Sequence, residues 1–67
     1  MNRPPDTEAK LLPIRRAIHG WEFAGKSGLR SRLQNAEIEL KNLPAEYHEA
    51  ANELMEPLRG AIEGIPL

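Results

Sequence analysis

Two apolar stripes joined by a very short link constrain this chain more than any other feature. Residues 27–43 and 47–65 each place an apolar residue at alternating steps of three and four, the spacing of helices that pack at a shallow angle. The link at residues 42–44 is long enough only for an antiparallel turn. The stripes consist of Leu29, Leu33, Ala36, Leu40 and Leu43, and of Tyr47, Ala51, Leu54, Leu58, Ala61 and Ile65. We therefore predict an all-α fold with a helical hairpin at about 27–42 and 44–64.

A third stripe precedes the hairpin and predicts an additional N-terminal helix at about 7–23. Its members are Leu11, Ile14, Ile18 and Trp21. Pro13 lies within this segment and removes one backbone hydrogen bond, so we expect either a kink or a helix that starts nearer Leu12. Residues 1–5 contain two prolines and are predicted to be disordered, ahead of one small domain.

Three apolar residues, Ile38, Met55 and Ile62, lie outside the stripes and need cover. Two arrangements supply it: a three-helix bundle in which the first helix folds back, or a homodimer based on the hairpin. A chain of 67 residues without cysteine has a small core and no disulfide. Because such chains usually gain stability from a second subunit or a larger partner, we expect a homodimer that also binds another protein.

The charges divide the chain into a basic half and an acidic half. Residues 1–35 carry seven basic and three acidic side chains, whereas residues 36–67 carry two basic and seven acidic ones. The halves can neutralise each other across a helix or subunit contact. Alternatively, the basic half forms a face for nucleic acid, or the acidic half meets a basic partner.

Residues 20–27, GWEFAGKS, match the phosphate-binding pattern G-x-x-x-x-G-K-[ST]. A phosphate-binding loop of this kind follows a buried strand, but the residues before Gly20 have helical spacing, and Glu22 would repel phosphate. We therefore interpret the segment as a corner between two helices, with Ser27 as the N-cap of the second. The alternative is an anion or nucleotide contact at this helix start.

No complete catalytic or metal-binding set is present in the sequence. The segment HEAAN at residues 48–52 resembles the zinc pattern H-E-x-x-H but has asparagine in place of the second histidine. Without cysteine, and with no recognisable arrangement of serine, histidine and carboxylate, nucleophilic catalysis has no support either. We expect neither an enzyme nor a bound cofactor or metal.

The sequence thus favours a cytoplasmic interaction module, without a membrane partner, that regulates, links or inhibits a larger protein. The alternatives are a nucleic-acid-binding protein that uses the basic half and a nucleotide or phosphate binder at the second helix start. The candidate partner-binding residues are Trp21, Phe23, Lys26, Arg30, Ile38, Met55 and Ile62. The candidate contacts to an anion or to nucleic acid are Arg15, Arg16, Lys26, Ser27, Arg30 and Arg32.

Overall fold

The computed structural model of the protein describes residues 4–64 and forms a three-helix bundle. Helix α1 spans Thr7–Ile18, α2 spans Lys26–Lys41 and α3 spans His48–Glu63, and each helix contacts the other two. Short 3-10 helices lie at Trp21–Phe23 and Ala45–Tyr47. The predicted all-α fold is confirmed, with the first helix folded back on the hairpin. Residues 1–3, predicted to be disordered, and stripe residue Ile65 lie outside the described residues.

Helix α1 begins at Thr7, as predicted, but ends earlier than its stripe predicts. It starts at Thr7 because the Thr7 amide and hydroxyl both donate to the Pro4 carbonyl, at 3.1 and 2.6 Å. Residues 4 and 5 are among the described residues, and the disorder predicted for residues 1–5 stays a prediction. Pro13 lies within the continuous helix, so the later start near Leu12 is wrong. The end moves from residue 23 to Ile18 because Gly20 takes the left-handed conformation, with φ of 78°, and breaks the helix.

Helices α2 and α3 differ from the prediction mainly at their first residues, and each ends one residue earlier than predicted, at Lys41 and Glu63. The N-cap of α2 is Gly25 rather than Ser27, which lies inside the first turn and makes no capping hydrogen bond. The third segment opens with the 3-10 turn Ala45–Tyr47, so α3 itself starts at His48 rather than near Pro44. The His48 ring bonds the Leu43 carbonyl oxygen at 2.8 Å through Nε2, which ties α3 back to the link.

The core consists of one apolar cluster to which all three helices contribute. Met55, predicted as a partner contact, is completely buried in this cluster, so that role is wrong. The reason is geometric: a helix in a three-helix bundle contacts two neighbours, so its buried face is wider than a single hairpin seam. The buried members are Leu11, Ile14, Ile18, Leu29, Ala36, Ala50, Ala51, Met55 and Leu58.

A second contact between α1 and the hairpin is polar. The hydroxyl of Tyr47 donates to Asp6 Oδ1 at 2.7 Å, across 41 positions of sequence. This hydrogen bond, together with burial of the ring and the nearby negative charges, raises the pKa of Tyr47 to about 12. The bond fixes the start of α1 to the start of α3.

Replacing Met55 with alanine is expected to cost about 2–5 kcal/mol, the usual range for truncating a buried methionine. Small single-domain cores rarely supply more than about 3–5 kcal/mol, so this variant should be largely unfolded at 25 °C. Ile38→Ala is the control, because Ile38 is 56% exposed and surface substitutions usually change stability by less than about 0.5 kcal/mol. Urea denaturation followed by circular dichroism measures both; equal midpoints would contradict the core assignment.

The Tyr47 contact predicts a loss of stability in alkaline solution. Because the fold raises the pKa of Tyr47, its contribution is complete below the unfolded value of about 10 and disappears as the pH rises to about 12. Tyr47 is the only tyrosine, so phenolate absorbance reports its titration directly. Asp6→Ala should lower the folded-state pKa towards 10, whereas Glu8→Ala should leave it unchanged. A wild-type titration near 10 while the helices persist would show that the bond is absent.

Candidate interaction site

The corner between α1 and α2, residues 20–27, is a turn held by backbone hydrogen bonds. After Gly20 turns the chain, the amide of Phe23 donates to the Gly20 carbonyl and the amide of Ala24 donates to the Trp21 carbonyl, both at 3.1 Å. Gly25 is extended and leads directly into α2. A phosphate-binding loop needs a strand before the first glycine, whereas here a helix precedes it. The GWEFAGKS segment is therefore a helix-to-helix corner.

Arg32 holds the corner against α2. Its Nε donates to the His19 carbonyl at 2.9 Å and its Nη1 donates to the Gly28 carbonyl at 3.2 Å. A Cβ atom at Gly28 would lie 3.1 Å from Nη1, so glycine at this position leaves room for the guanidinium. The positive charge also lies at the C-terminal end of α1, where the helix dipole favours it. Arg32, predicted as an anion contact, is thus occupied with backbone carbonyls.

Phe23 is the most exposed large apolar residue of the part of the chain that the structure describes, at 93%. A 3-10 helix has three residues per turn, so consecutive side chains point about 120° apart. Trp21 takes the inward direction and packs, half-buried, against the core, while Glu22 and Phe23 lie in solvent. The same backbone bonds that fix Trp21 therefore hold Phe23 outward.

Next to the corner, an open groove runs between the first half of α2 and the end of α3. Lys26 and Arg30 line it on the α2 side, and neither forms an ion pair within residues 4–64. Its apolar walls are the half-buried Leu33 and Ile62. At the far end is Glu37, whose Oε2 lies 3.9 Å from Arg59 Nη2. The remaining lining residues are Ser27, Ser31 and Gln34.

The residues that were predicted to contact an anion do not all lie at one site in the structure. Arg15 forms an ion pair with Glu8 at 2.9 Å and lines a separate cleft beside Trp21. Arg16 is exposed on α1, outside the groove. Together with the engagement of Arg32, this leaves Lys26, Ser27 and Arg30 as the predicted anion contacts that share one site.

The predicted partner contacts are also only partly brought together. Lys26, Arg30 and Ile62 line the groove that adjoins the corner, but Ile38 lies elsewhere on α2. Ile38 is about 200° around the helix from the buried Ala36 and therefore faces away from the bundle. It is an isolated exposed side chain, like Leu12 on α1 at 45% exposure, which the sequence reasoning did not single out.

Sequence reasoning missed four groove residues, which are Ser31, Leu33, Gln34 and Glu37. A usable signal existed for Leu33 and Gln34, because both follow Lys26 and Arg30 at the spacing of one helical face. Leu33 had been assigned only to the hairpin seam. Its half-buried state means that one side of the residue packs on the core and the other lines the groove.

Within residues 4–64, no cluster of three or more histidine or carboxylate side chains is placed to hold a metal ion. None of the three helices is long and apolar enough to cross a membrane. The carboxylates of α3 instead lie along an exposed side of that helix, where Glu49, Glu53 and Glu56 adjoin Asn52. The Asn52 side chain accepts a hydrogen bond from Arg59 at 3.0 Å.

The corner and its groove thus bring exposed apolar and charged side chains together on the described bundle. No family model, curated protein or solved structure matches the chain.

Proposed function

We propose that the protein is a small helical interaction module, homodimeric in solution, that acts as a regulator, adaptor or inhibitor by docking the corner on a larger protein. The observation that supports this proposal is the 93% exposure of Phe23 on a hydrogen-bonded turn. Water-exposed Phe at a fixed position leaves about 1.5–3 kcal/mol of burial energy available to a partner.

The rigidity of the corner strengthens the case for binding. Ordering a flexible loop at an interface costs conformational entropy, and that cost subtracts directly from affinity. Here the two backbone hydrogen bonds donated by Phe23 and Ala24, together with the bond from Arg32 to the His19 carbonyl, already hold the backbone. Phe23 can therefore enter a pocket with little further ordering, as is typical of aromatic anchors at interface centres.

A protein partner fits this surface better than nucleic acid does. A phosphate backbone needs several cations in one row, but Arg15 and Arg32 are engaged elsewhere and Arg16 lies outside the groove. Glu22 beside Phe23 and Glu37 in the groove would repel phosphates. Mixed charge around an aromatic anchor is instead the pattern of a protein interface with a polar rim.

We also propose a cellular compartment and a non-catalytic role for the protein. A chain without cysteine suits a reducing compartment, so we place its action in the cytoplasm. We infer binding without catalysis, because Glu37, the carboxylate that lines the groove with Ser27 and Ser31, is paired with Arg59 at 3.9 Å rather than with a serine.

Affinity capture with matched variants tests the role of Phe23. Wild-type protein, Phe23→Ala and Leu12→Ala are immobilised and exposed to a lysate of the source organism, and bound proteins are quantified by mass spectrometry. We expect a partner that is retained by wild type and by Leu12→Ala and is reduced at least about tenfold on Phe23→Ala, the usual scale of a hot-spot truncation. Circular dichroism confirms that both variants are folded. Identical protein profiles on all three surfaces would contradict the proposal.

A further inference from the structure

The corner carries both halves of a self-complementary contact. One half is the projecting pair Glu22 and Phe23, a carboxylate beside an aromatic ring, both exposed. The other half is the groove, in which Lys26 and Arg30 adjoin the apolar walls formed by Leu33 and Ile62. An aromatic residue matches an apolar wall, and a carboxylate matches two cations that have no ion-pair partner within residues 4–64.

The two halves lie close enough to be exchanged between two copies. Phe23 precedes Lys26 by three residues, so their Cα atoms are at most roughly 11 Å apart. A two-fold axis beside the corner would therefore bring the projecting pair of each copy towards the groove of the other. Such an interface is isologous and closes as a dimer, because each contact occurs twice.

We infer that two copies of this chain associate by inserting Phe23 of each into the groove between α2 and the end of α3 of the other, with Glu22 pairing with Lys26 and Arg30 across the contact. The inference rests on the proposed homodimer and names its interface. The pairing with Glu22 also explains why Lys26 and Arg30 lie in the first half of α2, where the helix dipole disfavours cations.

The size of the contact predicts a weak, reversible dimer. Two buried phenylalanine side chains and the groove surface that they cover remove roughly 600–1,000 Å² from water. Stable interfaces usually bury about 1,200–2,000 Å², so monomer and dimer should exchange readily. The dimer is therefore sought at high protein concentration, by sedimentation equilibrium from micromolar to millimolar.

The first test removes the aromatic anchor. We expect Phe23→Ala to raise the dimer dissociation constant at least about tenfold, because the substitution acts twice in a symmetric interface. Leu12→Ala, an exposed apolar residue outside the corner, should leave the constant unchanged. A wild-type protein that stays monomeric throughout would overturn the homodimer and the inference together. A dimer that tolerates Phe23→Ala would overturn this interface alone.

The second test exchanges the charges between the two halves. Glu22→Lys alone, or Lys26→Glu with Arg30→Glu, places like charges opposite each other in the homodimer and should weaken it at least about tenfold. Mixed together, these two variants restore both pairs in a heterodimer, since one copy supplies the reversed projection and the other the reversed groove. The mixture should associate within about threefold of the wild-type constant.

The same mixing experiment contains its own controls. All substituted residues are exposed, and glutamates in the first turns of α2 suit the helix dipole, so folding is expected to persist and is checked by circular dichroism. Lys10→Glu, an exposed lysine near the opposite end of α1, should not change the association. If each charge variant dimerised as well alone as in the mixture, the proposed pairing would be wrong, whereas the partner capture would still report separately on Phe23.

Discussion

The packing of α1 on the helical hairpin is the contact on which the rest of the molecule depends. Two helices bury one seam each, which would leave Met55 in water. Helix α1 supplies Leu11 and Ile14, which are buried completely, and together they close the cluster. In a chain this short, few apolar contacts separate the folded from the unfolded state, so the position of α1 is fixed by the same residues that make folding possible.

The exposed corner follows from that packing. Because α1 ends at Ile18 against the hairpin, the chain must reverse within a few residues to begin α2. Gly20 makes the reversal possible, and Arg32 stabilises it by donating to the carbonyl of His19, directly after α1. With Trp21 drawn towards the core, the geometry of the 3-10 turn leaves Phe23 in solvent. The turn is stabilised by hydrogen bonds, yet it holds the apolar ring of Phe23 in water, which is unfavourable. Apolar residues exposed in this way mark binding sites.

The helices could be predicted from sequence because their apolar spacing is a local property. The ends of the helices could not, since Trp21 fits the α1 stripe whether the helix continues or stops, and only Gly20 in the left-handed conformation decides the outcome. Contacts between residues far apart in sequence could not be predicted either. Neither the bond from Arg32 to the His19 carbonyl nor the bond from Tyr47 to Asp6 leaves a periodic signal, because each depends on how whole helices are placed. Phe23 was identified as a candidate because it falls off the stripe.

One side chain cannot occupy two pockets, so the two proposed uses of Phe23 exclude each other. In the proposed dimer, Phe23 would lie in the groove of the second copy and would be hidden from any other protein. A larger partner would then bind the monomer, and its apparent affinity would fall as the dimer accumulates, since only the monomer fraction is competent. The weak dimer would keep Phe23 covered. Phe23 would become exposed when dilution, or binding of the monomer by a partner of higher affinity, shifts the equilibrium towards the monomer. Because the pairing of Glu22 with Lys26 and Arg30 is proposed for the dimer alone, its restoration in a mixture of the two charge variants tests self-association separately from partner binding, whereas changes at Phe23 affect both.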